Sequence, residues 1–303
     1  MYDVIVVGGG AAGMTAALYA LRNGKSVLIL EKEGFGGQIT HSPKVENFPG
    51  FLSASGNEIA DKLFEQIVAQ GVEFEIDTVT SVIDGEVKTV KTEYGSSYEG
   101  KTVILATGVK HRVLGLDGEE DLIGEGISFC AVCDGDFYAG KDVVMIGGGN
   151  SALQEAILLS EKCHKVTVLQ DLPFFTGEAR LQDVLFSKEN VEKHANQQIL
   201  SFETKDGKLC GVRAKDKASG EETLYPCDGV FEAVGLIPEN DAFKGLADLN
   251  DWGYFDSDER CLTKTPGIFV AGDCRSKTIR QLTTAVADGA CAALAACRYL
   301  NER

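Results

Sequence analysis

Short apolar runs that end in glycine set the frame of this chain. Val4-Ile5-Val6-Val7 runs into Gly8-Gly9-Gly10-Ala11-Ala12-Gly13; apolar residues then recur at helical spacing through Ala17 and Leu21, and Val27-Leu28-Ile29-Leu30 follows, closed by Glu31. Apolar runs this short, bounded by turn signals, mark strands buried on both faces, so the segment predicts strand, glycine turn, helix and strand. Ile59, Leu63, Phe64, Ile67 and Val68 share one face of a helix predicted over 55–70, with Ser55 or Asn57 to cap it and Gly71 to end it. From 72 to 105 the pattern changes to alternation broken at Asp84-Gly85 and Tyr94-Gly95. It finishes on Val103-Ile104-Leu105-Ala106-Thr107-Gly108, another strand running into glycine.

The frame then repeats. A shift of 139 residues lays Asp142-Val143-Val144-Met145-Ile146-Gly147-Gly148-Gly149-Asn150-Ser151-Ala152 on the first run, with Gly8 on Gly147, Gly10 on Gly149 and Gly13 on Ala152. Residues 190 to 235 alternate as short strands around turns at Asp206-Gly207, Ser219-Gly220 and Asp228-Gly229. Thr265 to Val270 is a strand entering the Gly272-Asp273 turn, and Arg280-Gln281 opens a last helix rich in small residues, Thr283 to Tyr299. The prediction is an α/β chain with two Rossmann-like, three-layer nucleotide-binding folds.

The first copy carries the parts a dinucleotide needs. In G-x-G-x-x-G the first glycine makes the turn, the second lets a pyrophosphate approach the backbone, and the third packs helix on strand. The helix start offers its N–H groups to the phosphates. Glu31, 18 positions beyond Gly13, would accept from a ribose hydroxyl pair. The plain alternative is an ordinary βαβ unit with a glycine-rich turn. In the second copy Glu31 maps to Gln170, followed by Asp171-Leu172-Pro173-Phe174-Phe175. A 2′-phosphate would need Arg or Lys there and would be repelled by Asp171, so NADPH is disfavoured. NADH stays open through Asp171. So does a fold that binds no nucleotide, with Leu172 to Phe175 either plugging its slot or anchoring a buried loop.

Length and composition narrow the class. With 303 residues, 44% hydrophobic and 25% charged, the chain reads as two globular domains, and 35 aperiodic glycines add many tight turns. A net charge of −17 with no cluster of Lys and Arg gives no electrostatic case for nucleic acid. No apolar run approaches membrane-spanning length, and Met1-Tyr2-Asp3 leads straight into the first strand, so a cytoplasmic protein is expected.

Seven of the nine cysteines lie singly, which argues against a secreted disulfide framework. The other two stand in Cys130-Ala131-Val132-Cys133-Asp134. A structural zinc site would want a second close pair or matching histidines, and His41, His111, His164 and His194 are scattered, so no metal is expected. A redox pair is the favoured reading, with an inert pair the plain alternative.

Together these pieces resemble the low-molecular-weight thioredoxin reductases, two-domain flavoprotein disulfide reductases, across essentially the whole chain. The resemblance implies a discontinuous FAD domain, 1–112 with 246–303, and an inserted domain, 113–245, that carries the thiols. It implies FAD contacts at Gly8, Gly10, Ala11, Gly13, Glu31, Gly37, Gln38, Asn47, Ala106, Thr107, Gly108, Gly272, Asp273, Arg280 and Gln281. Cys130 matches the exposed interchange thiol, Cys133 the flavin-proximal thiol and Asp134 the acid/base. A thioredoxin-like protein substrate, a homodimer and a large domain rotation are implied as well. No membrane partner is implied.

One departure bears on the electron donor. Typical members carry a His-Arg-Arg-x-x-x-Arg run that grips the NADPH 2′-phosphate, and here the same positions read Gln170-Asp171-Leu172 and Thr176. The related ferredoxin-dependent flavin thioredoxin reductases also lack that run, and this branch is favoured. An acidic ferredoxin would need a local basic patch, for which Arg275, Lys277 and Arg280 are candidates. An NADH-dependent thioredoxin reductase and a flavin dithiol oxidase of the same fold are the alternatives. A flavin-binding sensor has no use for the thiols, and a ferredoxin–NADP reductase would lack them. Cys274, beside Asp273, reads at its simplest as a small apolar residue near the flavin.

Overall fold

The computed structural model describes every residue except Pro43, Lys44 and Arg303. The chain forms two compact units, 1–110 with 237–303, and 111–236. Both crossings fall earlier than the sequence boundaries at 112/113 and 245/246. The larger shift has a packing reason: Phe243 and Leu246 share a core with Ile5, Val7, Leu105 and Val270, so 237–245 belongs with the first unit.

In the first unit the predicted apolar runs lie at the centre of one sheet. Five parallel strands stand in the order Glu73–Ile76, Val27–Glu31, Tyr2–Val7, Ser97–Leu105, Ile268–Val270. The long Ser97–Leu105 strand also pairs, through its first half, with the antiparallel hairpin Val79–Ile83 and Lys88–Thr92. One face is covered by helices Ala11–Arg22, Gly56–Val68 and Leu282–Asn301. The helix from Gly56 starts as its sequence prescribes. Ser55 Oγ accepts from Glu58 N at 3.1 Å while the Glu58 carboxylate accepts from Ser55 N at 2.7 Å, a reciprocal cap. The other face is covered by the 241–274 segment, where Phe243, Phe255 and Cys274 are buried.

The second unit repeats the plan with shorter helices. Val191–His194, Lys165–Leu169, Asp142–Ile146, Gly229–Glu232 and Ile127–Ser128 make a parallel sheet. Helices Asn150–Ser160 and Ala179–Phe186 pack on one side, and the antiparallel strands Gln197–Lys205, Lys208–Asp216 and Glu222–Pro226 cover the other. Each central strand is buried on both faces, which is why its sequence is continuously apolar. Among the described residues no helix is long and apolar enough to cross a membrane.

Candidate active site

The thiols stand just beyond the edge strand of the second unit. Ile127–Ser128 ends the sheet, and Cys130 caps the four-residue helix Ala131–Asp134. Cys130 and Cys133 are joined in a disulfide, with their Cα atoms 5.3 Å apart. Cys133 N donates to Cys130 Sγ at 3.2 Å, so one backbone N–H faces that sulfur, where it would favour a thiolate. Val132, between the two, is 53% exposed.

Asp134 is built into the same turn. Ser128 Oγ donates to Asp134 Oδ2 at 2.6 Å and accepts from Cys130 N at 3.1 Å. Asp134 Oδ1 is buried without a hydrogen-bond partner among the described residues, and burial pushes the carboxyl above the usual carboxylate range. A group so placed binds a proton more readily than a solvated aspartate, as proton transfer near neutral pH requires. Sequence reasoning missed Ser128, since a lone serine two residues before a cysteine carries no signal. It also missed Glu155, whose Oε2 accepts from Ala131 N at 3.1 Å.

The residues assigned to a dinucleotide converge in the first unit. Gly8 (φ +109) sits where a Cβ would come within 2.3 Å of Ala106 O, and a Cβ on Gly13 would lie 1.9 Å from Gly8 O. These contacts lock strand, turn and helix together. Gly10 is different in kind: a Cβ there would meet nothing nearer than Gly36 O at 3.9 Å, which leaves the helix start open to a ligand. Glu31 is buried and accepts from Gly9 N, with its other oxygen on Glu33 N at 3.0 Å. Gly37 approaches the Gly10 Cα, and Gly272 packs on Ala12. Gln38 lies exposed in the short turn Gly37–His41.

Around this turn the remaining predicted groups take specific partners. Thr107 Oγ1 donates to Asn240 Oδ1 at 2.7 Å, and Asn47 Nδ2 donates to Gln281 Oε1 at 3.3 Å. Gln281 caps the last helix in a reciprocal pair with Thr284. Asp273 Oδ1 is 3.2 Å from Lys277 Nζ but out of line for a hydrogen bond, a buried oxygen free to accept from a ligand hydroxyl. The residues present therefore fit FAD, the flavin dinucleotide the resemblance implies. Cys274 Sγ points at Ala271 O and Leu105 O, and burial pushes the thiol up, so it behaves as a small apolar side chain.

The basic patch read from sequence is not a patch. Arg275 is 6% exposed and spends its guanidinium on Asp288 and on the carbonyls of Ser257 and Asp258. Lys277 Nζ reaches Asp288 and Thr284. Arg280 donates to the Asp273 and Arg275 carbonyls and lies over the Tyr254 ring. These cations hold the Gly-Asp turn to the last helix, and sequence proximity could not distinguish that from a surface cluster.

The second glycine loop is braced by its own chain much as the first is, where Gly9 O accepts from Gly36 N at 3.0 Å, and a Cβ on Gly149 would meet nothing nearer than Thr176 Oγ1 at 3.7 Å. A Cβ on Gly148 would lie 2.6 Å from the Gln170 amide, and Gly148 O accepts from both Thr176 N and Gly177 N at 2.9 Å. Gln170 Oε1 accepts from Asp171 N at 3.0 Å. Asp171 pairs with Lys217, a cation that no sequence spacing had linked to it. The run from Leu172 to Phe175 divides. Leu172 and Phe174 are 42% and 61% exposed, whereas Phe175 packs inward against Phe186 and the core, so Phe175 anchors the loop and the two exposed side chains do not. At the end of the neighbouring strand Glu232 is 2% exposed with no donor to either oxygen among the described residues, and burial beside Glu119 pushes its carboxyl up to about 9.

Comparison with known proteins agrees along the full chain. Residues 2–289 match the pyridine nucleotide-disulphide oxidoreductase family. A thioredoxin reductase of Bacillus subtilis is 38% identical over 302 residues, covering 100% of this chain and 96% of that protein. A "34.2 kDa protein in rubredoxin operon" of Clostridium pasteurianum is 40% identical over 307 residues, covering 99% of this chain and 98% of that one. Among solved structures, a thioredoxin reductase from Streptococcus pyogenes superposes with a TM-score of 0.94 at 40% identity, covering 100% of this chain and 99% of that chain.

Proposed function

Because the chain belongs to the pyridine nucleotide-disulphide oxidoreductase family, in its low-molecular-weight thioredoxin reductase branch, we propose that it reduces the disulfide of a thioredoxin-like protein through Cys130 and Cys133. The observation that carries the reading is the Cys130–Cys133 disulfide, with the partly proton-hungry Asp134 carboxyl in the same turn. FAD, when bound, supplies the electron pair that opens this disulfide. Gly8, Gly10, Ala11, Gly13 and Glu31 hold its pyrophosphate and ribose, with Gly37, Gln38, Asn47, Ala106, Thr107, Gly108, Gly272, Asp273, Arg280 and Gln281 around the rest.

The chain's own residues complete the exchange. Opening the disulfide takes up two electrons and two protons, and Asp134 holds the proton needed at Cys133. Cys130, as thiolate, attacks one sulfur of the partner disulfide and expels the other as a thiolate. Cys133 then attacks Cys130 Sγ, which restores the Cys130–Cys133 bond and frees the partner as a dithiol. The protein works as a homodimer in the cytoplasm.

NADPH is disfavoured as the donor. Nothing basic stands at Gln170, Asp171, Leu172 or Thr176, and the cation beside Asp171, Lys217, is engaged by that carboxylate. A ferredoxin-like iron–sulfur protein is favoured. The internal pairing of Arg275, Lys277 and Arg280 removes the docking patch once assigned to them. NADH, held through Asp171, is the second reading; a dithiol oxidase of the same fold is the third.

The test is anaerobic. With the FAD-loaded protein offered NADPH, NADH and reduced ferredoxin in turn, flavin absorbance is expected to fall rapidly with ferredoxin and not with micromolar NADPH. Rapid loss with NADPH would overturn the reading of Gln170 to Thr176.

A further inference from the structure

The helix that follows the second glycine loop, Asn150–Ser160, packs against the short helix that carries the thiols. Its Glu155 is mostly enclosed, and Oε2 accepts from the backbone N–H of Ala131, the residue after Cys130. One carboxyl, Asp134, thus reaches the Cys130 N–H through Ser128, and a second bonds the next peptide directly.

We propose that Glu155 is a positioning residue for Cys130: its carboxyl ties the peptide after Cys130 to the long helix, and its protonation state sets how readily the Cys130 thiol ionises. The proposal rests on Cys130 being the attacking thiol. An ionised carboxyl one peptide away from a thiolate is a like charge in a poorly solvated place, and it disfavours the thiolate. A protonated carboxyl does not. Reduced Cys130 and Glu155 therefore titrate as a pair and share one proton across the neutral range. Burial pushes Glu155 up to about 7, against the lowering effect of the Ala131 N–H, which places this exchange at working pH.

The other titratable groups near this helix do not displace that account. Asp134 is bonded to Ser128, Asp136 is paired with Lys162, Asp142 with His164, and Lys165 with Glu192. Tyr138 lies on the next turn, Arg180 and Asp183 on Ala179–Phe186, Glu178 bonds Asn150 at the helix start, and Glu161 at its end pairs with Lys188. None of them is among the influences that move Glu155, which are burial and the Ala131 N–H.

The test uses FAD-loaded Cys133→Ser protein, in which Cys130 is a free thiol. The rate of Cys130 alkylation by iodoacetamide is followed by peptide mass from acid to alkaline pH. Two inflections are expected, one belonging to a carboxyl near neutrality. A single inflection would overturn the proposal without any change at Glu155. Glu155→Gln keeps an oxygen for the Ala131 N–H and removes only the charge. It is expected to leave one inflection, shifted about one unit down, and to make alkylation at pH 7 about tenfold faster. Glu155→Asp is expected to restore two. An unchanged profile in Glu155→Gln would reduce Glu155 to a structural tie. Because alkylation needs no thioredoxin and no donor, these outcomes stand apart from success or failure of the proposed activity.

Discussion

Replacing Cys130 with serine is expected to abolish reduction of a thioredoxin-like protein, by on the order of 10³-fold or more, while FAD content per chain is unchanged. The reasoning is one of bond inventory. Without Sγ at 130 there is no intramolecular disulfide to accept an electron pair, and Cys133 alone can form a mixed disulfide but cannot resolve it. Every residue assigned to FAD belongs to 1–110 or 237–303, whereas Cys130 belongs to the other unit, so the flavin readout is independent of the lost thiol. Serine can still accept from Cys133 N, which keeps the turn. Flavin absorbance with an insulin-coupled thioredoxin assay checks both halves. Undiminished turnover would remove Cys130 from the chemistry.

The second large effect is expected at Gly13. A Cβ there would lie 1.9 Å from Gly8 O, 3.0 Å from Gly8 C and 3.3 Å from Val6 Cγ1. The first two are backbone atoms of the glycine turn and cannot swing away, so Gly13→Ala must push the Ala11–Arg22 helix off the sheet. Overpacking of this kind costs about 1–3 kcal/mol, and it moves the helix-start N–H groups that face the pyrophosphate. Most FAD is expected to be lost on gel filtration. The control is in the same chain: the second glycine loop carries Ala152 at the matching place, wholly buried, so Ala152→Gly is expected to keep FAD. Full flavin content in Gly13→Ala would contradict this packing account.

Much of the fold was legible because its signals are local. Val4–Val7, Val27–Leu30 and Val143–Ile146 announce strands buried on both sides, and Ser55 with Glu58 writes out its helix cap. The glycine turns state their own geometry, since only glycine fits Gly8 and Gly13. What stayed hidden depends on contacts between distant segments. Thr107 meets Asn240 across 133 positions, and the Phe243 side chain decides where the second crossing falls. Arg275 and Lys277 looked like a surface cluster until Asp288, on the last helix, claimed both. Glu155 and Glu232 carry no motif at all; their carboxyls matter because of what covers them. Phe174 is a reminder from the other direction, an apolar residue in a conspicuous run that simply faces solvent.

The central claim is that Cys130 is the sulfur that meets the protein substrate. It is tested most directly by trapping. Reduced, FAD-loaded Cys133→Ser protein mixed with an oxidised thioredoxin-like protein is expected to form a covalent adduct through Cys130, reversed by dithiothreitol and absent when Cys130 is also serine. An adduct mapped to any other cysteine, or none while the unsubstituted protein still reduces the same substrate, would contradict the account.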